Sequence, residues 1–176
     1  MTFTEIAIMI QLNEIIAERT SCRNFRLQKM NIDKIQALIE SARWAPSGKN
    51  GQPWRFVVVI NENIKKAIAL NSVYGNWMKN ASAFIIVYLD KGKSYDYIKD
   101  LQGIGAAIQN ILLQATYMGI GTCWIGEILR NEAKINSLLQ VPDNYELMAV
   151  ICVGYANEST VKTQRINIQD IIYKVI

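Results

Sequence analysis

The chain has 176 residues and a net charge of +4 at pH 7; 51% of its residues are hydrophobic and 19% are charged. That length suits one domain, residues 1–176, with a substantial core, and the composition is that of an ordered chain rather than a disordered or repetitive one. Histidine is absent, which excludes Ser-His-Asp and Cys-His catalysis and His-ligated zinc, so catalysis here would belong to a cofactor.

The lysines and arginines are scattered, with no basic run of the kind that tracks a nucleic acid backbone. A solvated surface with a few arginines gripping one anionic ligand accounts for the balance. Cys22, Cys123 and Cys152 are far apart, odd in number and form no CxxC pair. They read as free thiols in a reducing compartment, and no metal site is expected. The opening stretch TFTEIAIMIQL has no basic flank and carries Glu5, so a signal peptide is not expected and the cytoplasm is the expected location.

In chain order, Asn13 is expected to cap a short helix, NEIIAER, that ends near Thr20. Asn31 is a second cap, followed by Ile35, Leu38, Ile39 and Ala42 on one helical face. Pro46 and Gly48 break the chain into a loop. Phe56–Ile60 and Ala83–Leu89 are apolar runs without alternation, as in strands covered on both faces, with a helix over Glu62–Asn71 between them. A long helix is expected from near Asp100 to Met118-Gly119, where glycine suits the C′ position. A helix over Asn131–Gln140 and a strand over Leu147–Val153 complete an α+β reading: a central mixed or antiparallel sheet flanked by helices.

From Leu101 to Gly126 there is no charged residue. Gln102, Gln109, Asn110 and Gln114 interrupt the stretch, so no membrane span is expected. It holds more apolar surface than one small domain readily buries, which points to a homodimer with the long helix at its interface.

Three clusters carry possible chemistry. Arg19-Thr20-Ser21-Cys22-Arg23 pairs two guanidinium groups with hydroxyls, a combination suited to a phosphate monoester or to a solvated basic helix end. Ala45-Pro46-Ser47-Gly48-Lys49-Asn50-Gly51-Gln52-Pro53-Trp54 is a stiff loop before a strand. It would either bring Asn50 and Gln52 to the edge of a flat heterocycle or serve as structure, with Trp54 in the core. Gly119-Ile120-Gly121-Thr122-Cys123-Trp124-Ile125-Gly126 matches neither a dinucleotide-binding nor a P-loop fingerprint. It offers bare backbone amides to a ligand, or it simply ends a helix.

Together these segments resemble the nitroreductase family. Its Arg-Arg-Ser-x-Arg-x-Phe opening appears as Arg19-Thr20-Ser21-Cys22-Arg23-Asn24-Phe25, with Thr20 in place of an arginine. Its Ala-Pro-Ser-x-x-Asn-x-Gln-Pro-Trp loop stands without a gap at 45–54. Gln109-Asn110, the Gly-x-Gly-Thr-x-Trp-Ile-Gly segment and a late Val-Gly-Tyr follow in order. The resemblance, over about residues 13–175, implies an FMN-dependent oxidoreductase that is a homodimer with two sites at the subunit interface. NADH or NADPH would deliver hydride to flavin N5, and a small acceptor such as a nitroaromatic or a quinone would then take the electrons.

It further implies that Arg19, Ser21 and Arg165 hold the phosphate beside Thr20, with Arg23 at the phosphate or at the pyrimidine edge. Pro46, Ser47, Asn50 and Gln52 would approach the ring from the partner subunit, and Trp124, Ile125 and the Gly126 amide would lie by N5. Trp44 stands where the family often has arginine, and Glu127 where a second glycine is common. A flavin-binding or redox-sensing module with slow turnover, and a family relative with oxygen-using or dehalogenating chemistry, are the alternative readings.

Overall fold

The β-branched runs pair as their lack of alternation requires, in the middle of a layered structure. The computed structural model describes residues 12–157 and 162–176; the N-terminal stretch with Glu5 lies outside them. Residues 12–18 form helix α1. There follow α2 (Ile32–Arg43), β1 (Trp54–Val59), α3 (Glu62–Ala69), α4 (Gly75–Met78), β2 (Ala83–Asp90), α5 (Tyr97–Tyr117), β3 (Gly121–Ile125), α6 (Glu132–Leu139), β4 (Tyr145–Gly154) and α7 (Ile168–Ile171).

The four strands make one sheet in the order β1-β2-β4-β3, and every neighbouring pair is antiparallel. All eight residues of β2 are buried. Ala83, Ile85, Val87 and Leu89 meet α2 and α5 on one face, while Phe84, Ile86 and Tyr88 meet α3, α4 and α6 on the other. The fold is α+β, an antiparallel sheet flanked by helices, as the two-sided apolar runs imply.

Local chemistry sets most boundaries. The Asn31 side chain accepts from the Asp33 amide at 3.0 Å, and Asn61 accepts from the Asn63 amide at 2.9 Å, satisfying donors that a first helical turn leaves free. Gly119, at φ 66°, takes the left-handed position that ends α5, where an L side chain would be strained. Three expectations shift. Helix α1 already includes Leu12, so Asn13 lies inside it rather than capping it. Helix α5 starts three residues early because Asp96 caps it and accepts from the Lys99 amide at 3.1 Å. Asp100, 1% exposed, accepts from the Ser94 hydroxyl at 2.7 Å and the Tyr95 amide at 2.9 Å, folding the chain into that start.

The third correction is the 119–126 segment. It does not only end a helix: Gly121–Ile125 is an edge strand paired with β4 from Gly154 to Val150. Gly121 at its start and Gly126 just after it hide this short strand from a pattern reading, since both are residues that disfavour strands. Gly121 is there for close packing, because a Cβ would stand 3.0 Å from the Cys22 side chain.

Helix α5, about 30 Å long at 1.5 Å per residue, buries Ile104, Ile108, Ile111, Leu112 and Ala115 in its own subunit's core. Leu101 and Gln102 are exposed, and Gly105, Ala106, Gln109 and Leu113 are only partly covered. A Cβ added at Gly105 would meet nothing within 4 Å. Among the described residues, no helix is long and apolar enough to cross a membrane.

Candidate functional site

The arginine segment is stitched to the edge strand. Ser21 forms a parallel bridge with Thr122, the Cys22 amide donates to the Thr122 carbonyl at 2.8 Å, and Phe25 bridges Ala156. Arg19 follows the end of α1 and is half-buried; Arg23 is exposed. Neither guanidinium is paired with a carboxylate among the described residues.

Burial pushes the Cys123 thiol up from its ordinary pKa, and Arg23, the Ser21 hydroxyl and Arg19 pull it partly back. The segment that carries Arg19, Ser21 and Arg23 therefore runs beside β3, with Ser21 bridged to Thr122. Unpaired cations beside a hydroxyl are the donor set a phosphate monoester requires. Thr20, half-buried, lies between them.

Four residues on from Thr122, just past β3, stands Gly126, about 13 Å away at 3.3 Å per residue. A Cβ at Gly126 would meet nothing within 4 Å, so its backbone is open to a ligand. Ile125 points into the core and can offer only backbone there, whereas the Trp124 ring is 43% exposed. Arg165 comes late in the chain, its guanidinium donating to the Thr163 hydroxyl at 2.6 Å. The Lys162–Glu18 ion pair draws this segment to the end of α1, beside Arg19.

The proline loop lies elsewhere. Trp54 is buried in the core, and the loop before it is held by its own side chains. The Ser47 hydroxyl accepts from the Gln52 amide at 3.0 Å, and the Gln52 side chain donates to Asn50 Oδ1 at 3.2 Å. The Gln52 amide group is thus engaged inside the loop, while Asn50 keeps its own NH2 for a ligand. Lys49, Asn50 and Gln52 all have φ between 46° and 55°, left-handed positions on either side of a right-handed Gly51 that cost of order 1–3 kcal/mol per residue. The loop rests on α5 by a close approach: a Cβ at Gly103 would lie 3.2 Å from the Pro46 carbonyl.

Within one chain, this loop does not meet the arginines. It enters β1 at Trp54, level with Leu89, whereas Thr122 is level with Val153 and Ala83. The two clusters stand at diagonally opposite corners of the sheet, about 14 Å apart across the strands and about 20 Å along them.

Glu127 is a residue that the sequence reading noticed only as a departure. Its carboxylate accepts from the Ser72 hydroxyl at 2.7 Å and the Val73 amide at 3.3 Å, and it pairs with Arg130. It thereby fastens the 72–74 segment to the turn beside Gly126. The sequence signal is faint: Glu127 is the first charge after the uncharged stretch, and its partners lie about fifty residues upstream. Trp44, where the family often has arginine, is exposed and held in place, its indole N–H donating to Glu40 at 2.9 Å with Arg43 over the ring.

Comparison with known proteins places the fold. The Nitroreductase family model matches residues 16–72 and 69–155. A protein of Archaeoglobus fulgidus, provisionally named NADH dehydrogenase/NAD(P)H nitroreductase, is 34% identical over 148 residues, 82% of this chain and 85% of that protein. The crystal structure of a provisionally assigned nitroreductase of Desulfovibrio desulfuricans in complex with FMN superposes with a TM-score of 0.88 at 28% identity. The match covers 94% of this chain and 96% of that one. A nitroreductase family protein of Clostridium novyi superposes with a TM-score of 0.76 at 31% identity, covering 84% and 86%.

Proposed function

The chain belongs to the nitroreductase family, and on that premise we propose that it is an FMN-dependent oxidoreductase. It would pass electrons from NADH or NADPH to a small acceptor such as a nitroaromatic or a quinone. The observation that carries this reading is the segment of Arg19, Ser21 and Arg23, its arginines without acidic partners among the described residues, bridged to the strand that Gly126 follows. The solved structure with FMN and the NAD(P)H named in the archaeal relative support it.

When bound, FMN supplies the hydride chemistry through its N5. The chain's own part is to bind, orient and stabilise charge. Arg19, Ser21 and Arg165 hold the phosphate, with Thr20 beside them. Arg23 reaches the phosphate or the pyrimidine edge, where a guanidinium favours the negative charge of a reduced ring. The Gly126 backbone amide, with Ile125 beside it, would face N5, and Trp124 would flank them. Two flat rings are held in contact, which removes most of the entropic cost of their encounter.

The second half of the site comes from a second copy of the chain, with Pro46, Ser47 and Asn50 crossing to the partner's ring and Gln52 holding the loop from within. The diagonal separation of the two corners supports this, because one chain cannot bring them together. The C-terminal segment supports it as well: Ile166, Ile168, Ile171, Tyr173 and Ile176 are all exposed, a cluster of apolar surface expected of an interface.

The test is an FMN titration followed by anaerobic addition of NADH and NADPH. The expected result is stoichiometric FMN, preferred over FAD, and loss of the yellow colour with at least one donor. Failure to bind micromolar FMN defeats the reading. Tight FMN that neither donor reduces moves it to a flavin-binding module.

A further inference from the structure

Beside the 72–74 segment lies a cavity of about 500 Å³ between the end of α3 and α4, lined among others by Lys66, Leu70, Val73, Asn76 and Lys79. Its shape depends on Gly75, where any Cβ would collide with the Ala69 carbonyl. Helix α4 can therefore start hard against the end of α3 only because that residue is glycine.

The lining is chemically divided. Lys66 and Lys79 are exposed, and neither is paired with a carboxylate among the described residues. The Asn76 side chain, also exposed, adds amide donors. Leu70 is 87% exposed and Val73 64%, an apolar surface left bare against these cations. Glu127, which ties the rim to the turn after Gly126, is itself paired with Arg130 and leaves the cavity with a positive balance.

We propose that this cavity docks the pyrophosphate–adenosine half of the nicotinamide dinucleotide. Lys66, Lys79 and Asn76 would contact the phosphates, and Leu70 and Val73 the adenosine. The inference rests on the flavin reading above and extends it to the donor. A dinucleotide carries a dianionic pyrophosphate and a flat base, tethered to its nicotinamide by a flexible chain. The cavity offers two ammonium groups and an apolar wall, joined through Glu127 to the turn where the nicotinamide would meet the flavin. Phosphate contacts made by charged donors are among the stronger hydrogen bonds a surface can supply.

The experiment compares wild-type protein, Lys66→Ala/Lys79→Ala and Lys66→Arg/Lys79→Arg, each loaded with FMN. The donors are NADH, NADPH and 1-benzyl-1,4-dihydronicotinamide, which carries no phosphate; inorganic pyrophosphate is titrated separately by calorimetry. In the alanine variant, KM for both dinucleotides is expected to rise roughly ten- to a hundredfold. The kcat, the FMN affinity and the KM for the benzyl donor stay as in wild type. Pyrophosphate binding is lost, and the arginine variant recovers most of both. A larger rise for NADPH than for NADH assigns part of the site to the 2′-phosphate. An unchanged dinucleotide KM, or an equal rise for the benzyl donor, overturns the proposal while FMN uptake leaves the flavin reading standing. No FMN uptake by the wild-type protein overturns both.

Discussion

The two corners of the sheet solve opposite problems. At the β3 corner, Arg19 and Arg23 are left without acidic partners, and Gly126 has open space before it. At the β1 corner, the 45–53 loop satisfies itself: Ser47 binds the Gln52 amide, Gln52 binds Asn50, and three residues are held left-handed. One corner leaves its cations without acidic partners, and the other uses its polar groups to keep a strained shape. Substitutions at the first should therefore change binding and leave stability alone; at the second they should change stability first.

The largest effects test whether the corners act across two chains. Ile108 is fully buried in its own subunit's core, so Ile108→Glu buries an unpaired carboxylate and is expected to abolish folding. It cannot report on a dimer, and Ile111→Glu fails for the same reason. Leu113→Glu, on the partly covered face of α5, is expected to keep its circular dichroism, sediment as a monomer and lose FMN. A folded monomer with stoichiometric FMN would break the shared-site picture outright.

Next in size, Arg19→Ala and Arg165→Ala should each weaken FMN by roughly 1.5–3 kcal/mol, on the order of ten- to a hundredfold in affinity. The denaturation midpoint should stay within the range of an ordinary surface change, about 0.5 kcal/mol. Equal FMN affinity in both variants and wild type would place the phosphate elsewhere. A smaller shift is expected on the other corner: Ser47→Ala removes the acceptor of the Gln52 amide and should cost about 1 kcal/mol by chemical denaturation. Smallest is Lys49→Gly. It relieves a left-handed residue but loses the Lys49 ammonium over the Tyr95 ring at 4.2 Å, so a net gain of roughly 0.5 kcal/mol in stability is expected. A loss of stability there would mean that the left-handed position is not strained.

The sequence by itself determined the elements whose causes are local. Asn31 and Gly119 bounded helices because a cap and a positive φ need only nearby backbone. The runs in β2 and β4 declared two-sided burial because nothing polar interrupts them. The arginine and proline clusters were legible too, since each is contiguous in the chain.

What tertiary structure decided lies in pairings that no local pattern encodes. Strand β3 is only five residues long and is framed by glycines; it is a strand because β4 offers it a partner along its whole length. The inward aim of Ile108 depends on which side of α5 faces the sheet. Glu127 finds Ser72 from across the fold, fifty-odd residues away in sequence. The diagonal placement of the two clusters follows from strand order, which depends on long-range contacts rather than on any residue within either cluster. Residue type sets which groups can bind a ligand, and only the closing of the sheet sets which of them can reach the same one.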